Sequence, residues 1–261
     1  AELKLHARKR LTGGSKPATI RYSPDGARLA VGFSDAPVVA VLSSQDLGLV
    51  VTPDLREVRD QFSLPALAWT QNGERLCAGG DYRGPDMNPI YCWGNSGRGA
   101  LTRAPAVHQR LADLAASAAD DIVFAAEDPA IGILTGNGAV PALRSSNVID
   151  WGSGPAQLRA NADGSLVQFD LARANSGSFY FAVNEHSSAP DEKQLGQLRA
   201  PLLQSAYFSV LDWKNYYRPS VNGKALALEN YEMSRSYAIA PDENALLLGT
   251  EWALRLYDRA L

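Results

Sequence analysis

The chain has 261 residues, of which 46% are hydrophobic and 20% are charged, and its formal net charge is −3 at pH 7. This composition excludes a disordered chain, and no apolar run approaches the roughly 20 residues that a membrane-spanning helix needs. The near-balance of charges gives no bulk attraction to nucleic acid or to acidic membranes, so we predict neither as a partner. We expect residues 1–261 to form a single domain.

The first predicted element is a short strand near the amino terminus. Residues 3–8 alternate apolar and polar side chains, which is the pattern of a half-exposed strand. Residues 1–10 lack the apolar core that is typical of a signal peptide. A glycine-containing loop at residues 13–16 then leads into the first copy of a repeated pattern.

That pattern begins at residues 21–32, which indicate a strand, a tight turn at Pro24-Asp25-Gly26 and a second strand. Proline presets φ for such a turn, and glycine accepts the positive φ that the turn requires. One such turn is weak evidence for a repeat, whereas several in phase are strong. The pattern returns at residues 68–79, 116–125, 159–167 and 238–249, with a degenerate copy at residues 209–228.

The spacing of the copies indicates a β-propeller. Their turns recur with a mean period of about 43 residues, which matches a four-stranded propeller blade and not a helical repeat. We therefore predict an all-β fold, a propeller of about six four-stranded blades. A seven-bladed ring, to which this chain contributes six blades, is the alternative. Residues 1–11 would supply the outer strand of the last blade, because closing the ring removes an exposed sheet edge. Leu3, Leu5 and Ala7 would then face a neighbouring blade.

The second strand of each copy ends at an acidic residue, and the last copy closes on the aromatic–acidic pair Tyr257-Asp258. These features resemble the WD-repeat propellers over residues 17–258, although the Gly-His dipeptide of that family is absent from every copy. Acidic residues at such turns typically accept hydrogen bonds from loop backbone, and a ring of them that binds a cation or a basic peptide is the alternative. The acidic residues are Asp35, Asp81, Asp128, Asp170 and Glu251.

Three segments near the carboxyl terminus carry a narrower resemblance. Residues 222–228, 231–236 and 248–258 look like the WD-repeat region attached to bacterial caspase-like peptidases. The resemblance implies a protein partner, either a caspase-like protease domain or its regulator. The Cys-His dyad of such a protease has no counterpart in this sequence, so the resemblance implies an associated module that is not itself a peptidase.

Two cysteines and three histidines leave little scope for metal or redox chemistry. No Cys-x-x-Cys or His-Glu-x-x-His spacing occurs, so we predict no metal site, and nothing in the sequence indicates a cofactor. Cys77 and Cys92 lie in apolar, strand-like surroundings, where free buried thiols are common. We therefore favour free thiols over a disulfide and, with them, a reducing cytoplasmic location.

Candidate partner-binding residues come from the loops. Residues 80–89 form the longest insertion between a second and a third strand, and Tyr82, Arg83 and Met87 in it are of types enriched at interfaces. A plain surface loop is the alternative for this insertion. Trp252 is the fourth candidate and lies in a segment that carries the narrower resemblance.

A further aromatic segment is found at residues 213–218, which contain one tryptophan, two tyrosines and two cations. Single-stranded nucleic acids bind to platforms of this composition. Because no wider basic patch accompanies the segment, we favour a packed aromatic corner.

Two classes of function remain. The one we favour is a non-catalytic protein-interaction propeller, a scaffold or sensor module of a bacterial caspase-like protease assembly. The alternative is a propeller enzyme or small-molecule binder that uses a pocket in the central channel. No Gly-x-Ser-x-Gly elbow and no phosphate-binding glycine loop occurs, so we assign no catalytic residue. An exposed aromatic patch would favour the first class, and converging polar groups in a cleft would favour the second.

Overall fold

The computed structural model confirms the all-β fold. The structure describes residues 3–56, 58, 61–82, 85–117, 120–127, 130–136, 138–144, 158–160, 166–170, 178–182, 205–214 and 216–259. No helix within these ranges is long and apolar enough to cross a membrane.

The described residues form 22 strands and one four-residue helical turn, α1, at Gly94–Gly97. The strands are short, as in a propeller whose blades are built from tight hairpins. In chain order they are β1 (Leu3–Arg10), β2 (Pro17–Tyr22), β3 (Arg28–Phe33), β4 (Val39–Ser43), β5 (Leu49–Val51), β6 (Gln61–Trp69), β7 (Leu76–Tyr82), β8 (Asn88–Trp93), β9 (Leu101–Val107), β10 (Leu111–Ala116), β11 (Ile122–Ala126), β12 (Ala130–Thr135), β13 (Gly138–Arg144), β14 (Arg159–Ala160), β15 (Leu166–Asp170), β16 (Ser178–Ala182), β17 (Val210–Leu211), β18 (Ser220–Val221), β19 (Lys224–Ala225), β20 (Ser234–Ile239), β21 (Ala245–Thr250) and β22 (Ala253–Arg259).

The strands assemble into six antiparallel sheets, the blades of a β-propeller. Strands β20, β2, β6, β10 and β14 are the innermost strands of their blades and adjoin in that order around a central channel. The first three blades and the last have four strands each, and the fourth and fifth have three each among the described residues. From the first strand onward the blades are β2-β3-β4-β5, β6-β7-β8-β9, β10-β11-β12-β13, β14-β15-β16, β17-β18-β19 and β20-β21-β22-β1.

The repeated turns connect the first and second strands of the blades and define what we call the lower face. In the first blade, the backbone N–H of Gly26 donates to the carbonyl of Ser23 at 2.8 Å, and Gly26 has a φ of +72°. Gly73 repeats this geometry with a φ of +71°, and Glu243 adopts a φ of +56° at the corresponding position of the last blade. The opposite end of the ring, where β3, β7 and β21 end, is the upper face.

A second repeated glycine lets neighbouring blades approach closely. A Cβ atom added at Gly32 in β3 would lie 2.4 Å from the carbonyl oxygen of Leu64 in the next blade. At the matching position of β7, a Cβ on Gly79 would lie 2.4 Å from the Leu111 side chain. Any larger residue at these positions would push the innermost strands apart.

The hydrophobic core lies between the blades. Ile20 and Val31 of the first blade pack with Leu247 and Leu254 of the last blade, and all four side chains are buried. Equivalent clusters join the first blade to the second, the second to the third, and the fifth to the last. The first, second and last sheets therefore bury both of their faces, as radially packed blades must.

Strand β1 lies at the outer edge of the last blade, antiparallel to β22, with Leu3 opposite Arg259 and Arg10 opposite Ala253. The alternation of the strand led us to expect Leu5 to face a neighbouring blade, but Leu5 is 43% exposed. A bulge between Leu5 and Ala7 shifts the register and changes the direction of the side chains.

The prediction of free thiols is wrong, because Cys77 and Cys92 form a disulfide. The two residues are directly opposite each other in the antiparallel pair β7–β8. Such cross-strand neighbours bring their Cβ atoms close together, which sequence spacing alone does not reveal. The argument for a reducing compartment rested on free thiols and loses its basis.

Candidate functional site

Exposed aromatic side chains concentrate near the fifth and last blades. Among the described residues, seven large hydrophobic side chains are exposed, and five of them lie between residues 207 and 231. Three of these are at the upper face and form what we call the tyrosine surface: Tyr216 and Tyr217, each 54% exposed, and Tyr231, 82% exposed. Exposed aromatic groups of this kind typically mark interaction sites, because burying them from water is favourable.

The backbone around the tyrosine surface is well anchored to the start of β20. The N–H and the Oγ of Ser234 donate to the carbonyl oxygen of Tyr216 at 2.9 and 3.1 Å. Trp213 packs edge-on against Tyr237, with 5.1 Å between the ring centroids. The predicted aromatic corner is therefore right for Trp213, but Tyr216 and Tyr217 point to solvent.

A buried ion pair supports the loop that carries Tyr231. The Nη2 of Arg255 lies 2.5 Å from the Oε2 of Glu232, the residue next to Tyr231, and both side chains are buried. The hydroxyl of Thr250 also donates to Glu232, and the N–H of Glu229 donates to the same carboxylate at 2.9 Å. Burial alone would raise the pKa of Glu232, but the hydrogen bonds from Arg255 and Thr250 outweigh it and hold the pKa below its ordinary value.

This ion pair is not predicted by any pattern in the sequence. The two partners are 23 residues apart and belong to different elements, so no local pattern joins them. The available signal was Arg255, which lies among apolar residues in the buried part of the strand, residues 253–257. A buried arginine requires a partner, and that requirement could have prompted a search for a carboxylate.

Three of the four predicted partner-binding residues are at the upper face. Tyr82 ends β7, Met87 is half-buried just before β8, and Trp252 is half-buried between β21 and β22 with a φ of +58°. Arg83 and the side chain of Tyr82 lie outside the described residues. Trp252 belongs to the same end of the last blade as the tyrosine surface, because Glu251 before it donates its N–H to Met233.

The acidic residues at the strand ends have local partners where the structure describes them. Asp35 accepts from the N–H groups of Ser15 and Lys16 at 2.9 and 3.0 Å, and Glu251 pairs with Arg235. No three histidine, cysteine, aspartate or glutamate side chains within the described ranges come together as a metal site would require. Asp128 and the side chain of Asp170 lie outside those ranges.

The central channel contains a cavity of about 440 Å³ near the lower face. Its lining is mostly apolar and comes from the innermost strands of four blades, the first, second, third and last, and from the first turns of the first, second and last. The polar groups include Arg21, whose Nη2 lies 3.2 Å from Oδ1 of Asp113. Asp113 is only 1% exposed, and burial raises its pKa to about 6 against the opposing effect of Arg21 and two backbone N–H groups.

Comparisons with known proteins show a similarity in fold and no similarity in sequence family. No protein-family model and no curated protein matches the sequence. Among solved structures, the chain is similar to the β-propeller domain of Cps50 (Swd1) from Myceliophteria thermophila, with 12% sequence identity and a TM-score of 0.50. The similarity covers 99% of this chain and 100% of that domain. It supports a β-propeller of matching extent.

Proposed function

We propose that this β-propeller is a non-catalytic protein-interaction module and that the tyrosine surface on its upper face binds a protein partner. The single observation that carries the proposal is the exposure of Tyr216, Tyr217 and Tyr231 at one end of the last two blades. Tyrosine is enriched at the energetic centres of interfaces, because its ring offers a large apolar area and its hydroxyl a hydrogen bond.

The anchoring of the surface strengthens the proposal. The loop around Tyr231 rests on the buried Glu232–Arg255 pair, and the loop around Tyr216 is bonded to Ser234. A preorganised surface loses little conformational entropy when a partner binds, so more of the contact energy appears as affinity. Trp252, from the same end of the blade, would extend the contact.

The enzyme alternative would need polar groups that converge where a substrate can reach them. Asp113 is the described carboxyl group whose pKa is raised to about 6, and such a shift can mark a catalytic acid. Its oxygens are occupied by Arg21, Leu114 and Leu158, and it is buried. This environment favours a structural role for Asp113.

A finer hypothesis names the partner. The sequence resemblance to propellers attached to bacterial caspase-like peptidases makes a caspase-like protease domain, or its regulator, the first partner to test. This hypothesis rests on the resemblance alone, and the tyrosine surface does not depend on it.

Site-specific photocrosslinking tests the proposal. A benzophenone amino acid replaces Tyr217 in cells that naturally produce the protein, and a second strain carries it at Leu49, which is 57% exposed on the outer strand of the first blade. We expect one discrete protein adduct from position 217 and none of that identity from position 49. Equal labelling from both positions would contradict a partner site on the upper face. Mass spectrometry of the adduct decides whether the partner is a caspase-like protease or its regulator.

Calorimetry with the purified partner completes the test. Replacement of Tyr216, Tyr217 and Tyr231 by serine should weaken binding by about tenfold or more, since a single tyrosine at the energetic centre of an interface contributes about 2 kcal/mol. The Leu49→Ser variant is the control and should bind as the parent does. Unchanged affinity of the triple variant would overturn the proposal.

A further inference from the structure

The lower mouth of the central channel offers an apolar space. The cavity of about 440 Å³ is lined there by Trp69, Leu114 and Ile239, and by the turn prolines Pro24 and Pro241. Cavities that bind small ligands or single buried groups begin at roughly 300 Å³. The space is therefore large enough for an aromatic or branched aliphatic group.

A second, polar space adjoins this cavity. A groove of about 740 Å³ runs between the lower turns of the first and last blades and shares Tyr22 and Pro241 with the cavity. Three carboxylates line the groove, those of Asp25, Asp242 and Asp258, against a single guanidinium.

That guanidinium, of Arg259, is already engaged by groups of the protein. It lies 3.9 Å over the ring of Tyr207, and its Nη2 donates to Oδ1 of Asn244 at 3.1 Å. On the acidic side, Asp258 lies 2.7 Å from Nδ1 of His6, and the carboxylates of Asp25 and Asp242 accept from their own turns. The groove retains an excess of negative charge, which favours a cation and disfavours a phosphate or a carboxylate.

Two buried donors at the groove have no hydrogen-bond partner. They are the hydroxyl of Tyr22 and the Nη1 of Arg259. Burial, together with Asp242 and Asp258, raises the pKa of Tyr22, so the hydroxyl stays protonated and can donate. A buried donor without an acceptor is unfavourable, and a ligand that supplies carbonyl oxygens would satisfy both groups.

We infer that the cavity and the groove together bind a segment of a partner polypeptide in which an apolar side chain precedes a lysine or arginine. The apolar side chain fills the channel mouth beside Trp69. The backbone carbonyls accept hydrogen bonds from Tyr22 and Arg259, and the basic side chain lies among the carboxylates of Asp25, Asp242 and Asp258. The site is on the face opposite the tyrosine surface and is independent of it.

Capped dipeptides test this inference on the full chain. N-acetyl-Phe-Lys-amide, titrated at low salt and followed by nuclear magnetic resonance, should bind about tenfold more tightly than N-acetyl-Phe-Glu-amide or N-acetyl-Gly-Lys-amide. The first comparison reports on the charge of the groove, and the second reports on the apolar cavity. Phenethylamine has the ring and the cation without carbonyls, and should bind more weakly than the Phe-Lys peptide.

Variants locate the site. Tyr22→Phe should weaken binding of the Phe-Lys peptide about fivefold, the equivalent of one net hydrogen bond, and Asp242→Asn about threefold with a smaller salt dependence. Ala116→Leu, which extends a side chain into the cavity, should abolish binding. Asp120→Asn, at the corresponding turn of the third blade, is the control and should bind as the parent does.

Four results would overturn the inference: no detectable binding of the Phe-Lys peptide, equal binding of the Phe-Glu peptide, unchanged affinity of Tyr22→Phe, or equal binding of phenethylamine. The last result would identify a site for small organic amines. The melting temperature of each variant is measured in parallel, and the two conservative variants, Tyr22→Phe and Asp242→Asn, remain decisive if Ala116→Leu does not fold. Serine variants of the tyrosine surface should keep the dipeptide affinity, so the two sites can fail separately.

Discussion

Arg21 and Asp113 join the first and third blades, with 3.2 Å between Nη2 and Oδ1, although 92 residues separate them in the chain. The other carboxylate oxygen of Asp113 accepts from the N–H of Leu158, one residue before the innermost strand of the fourth blade. A single buried carboxylate therefore links three blades at the channel. Such a link is strong when complete, and the loss of one partner leaves a buried charge unpaired.

The free energy of unfolding should depend on pH because Asp113 is buried. Burial raises the pKa of Asp113 from 3.8 to about 6 in the folded chain, so between these values the native state holds a proton that the unfolded chain has released. The stabilising contribution of this proton is present at low pH and is lost as the pH rises through about 6. The stability of the parent relative to Asp113→Asn should fall by up to about 3 kcal/mol between pH 4 and pH 7.

Urea denaturation of both proteins across this range measures the effect. Asp25→Asn is the contrasting variant, because hydrogen bonds from Ser23 and Ala27 lower the pKa of Asp25 below its ordinary 3.8. The contribution of Asp25 should therefore stay nearly constant between pH 4 and pH 7 and be lost only at lower pH. A parent–variant difference for Asp113 that grows with pH would mean that the attraction of Arg21 outweighs burial.

Removal of the Cys77–Cys92 disulfide should destabilise the fold. The bond closes a loop between residues that are 15 positions apart, for which the chain-entropy model gives about 3 kcal/mol. We expect the Cys77→Ala/Cys92→Ala variant to unfold at a lower denaturant concentration by that amount of free energy. A reducing agent should shift the parent to the same midpoint and leave the double variant unchanged. Reactive free thiols in the untreated native parent would argue against the bond.

Deletion of residues 1–10 should open the last blade. β1 pairs with β22 over its whole length, so its loss exposes the backbone groups of β22 as an unpaired edge. The deletion variant should melt at a lower temperature and self-associate in analytical ultracentrifugation. Leu5→Ser is the control for this region, since Leu5 is exposed and its change should leave both properties as they are. A monomeric deletion variant of unchanged stability would show that β1 does not contribute to closure.

Replacing Glu243 by glycine should stabilise the turn and thereby the fold. Glu243 has a φ of +56° where the first two blades have Gly26 and Gly73, and its Oε2 is buried without a hydrogen-bond partner. A left-handed conformation costs a residue with a side chain about 1 kcal/mol more than it costs glycine. Glu243→Gly should therefore raise the free energy of unfolding by about 1 kcal/mol. Gly73→Ala should lower it by a similar amount, and destabilisation by Glu243→Gly would show that the glutamate makes contacts that compensate for its backbone.

Sequence alone predicted the number and position of most hairpins, because the information for them is local. A turn such as Ser23–Gly26 needs a particular φ at one residue, and its strands need alternating side chains, and both requirements are met within about a dozen residues. Repetition of the pattern then indicated a propeller. Residues 1–11 could be placed as an outer strand because a blade with three strands leaves an edge to cover.

Within the candidate sites, sequence identified only types of residue. Trp213 and Tyr216 looked alike, and which of them packs and which is exposed depends on how the fifth blade meets the last. The sequence therefore showed that aromatic residues are concentrated in this segment, but not that three of them form an exposed surface.

The tertiary structure decided every relationship between residues that no repeat aligns. Cys77 and Cys92 bond because the register of β7 against β8 places them opposite each other, and a shift of one residue would have separated them. Arg255 reaches Glu232, and Arg21 reaches Asp113, only once the blades are packed. Local conformation follows from backbone preferences within a short segment, whereas these contacts depend on side-chain packing between segments distant in sequence, which the local pattern does not specify.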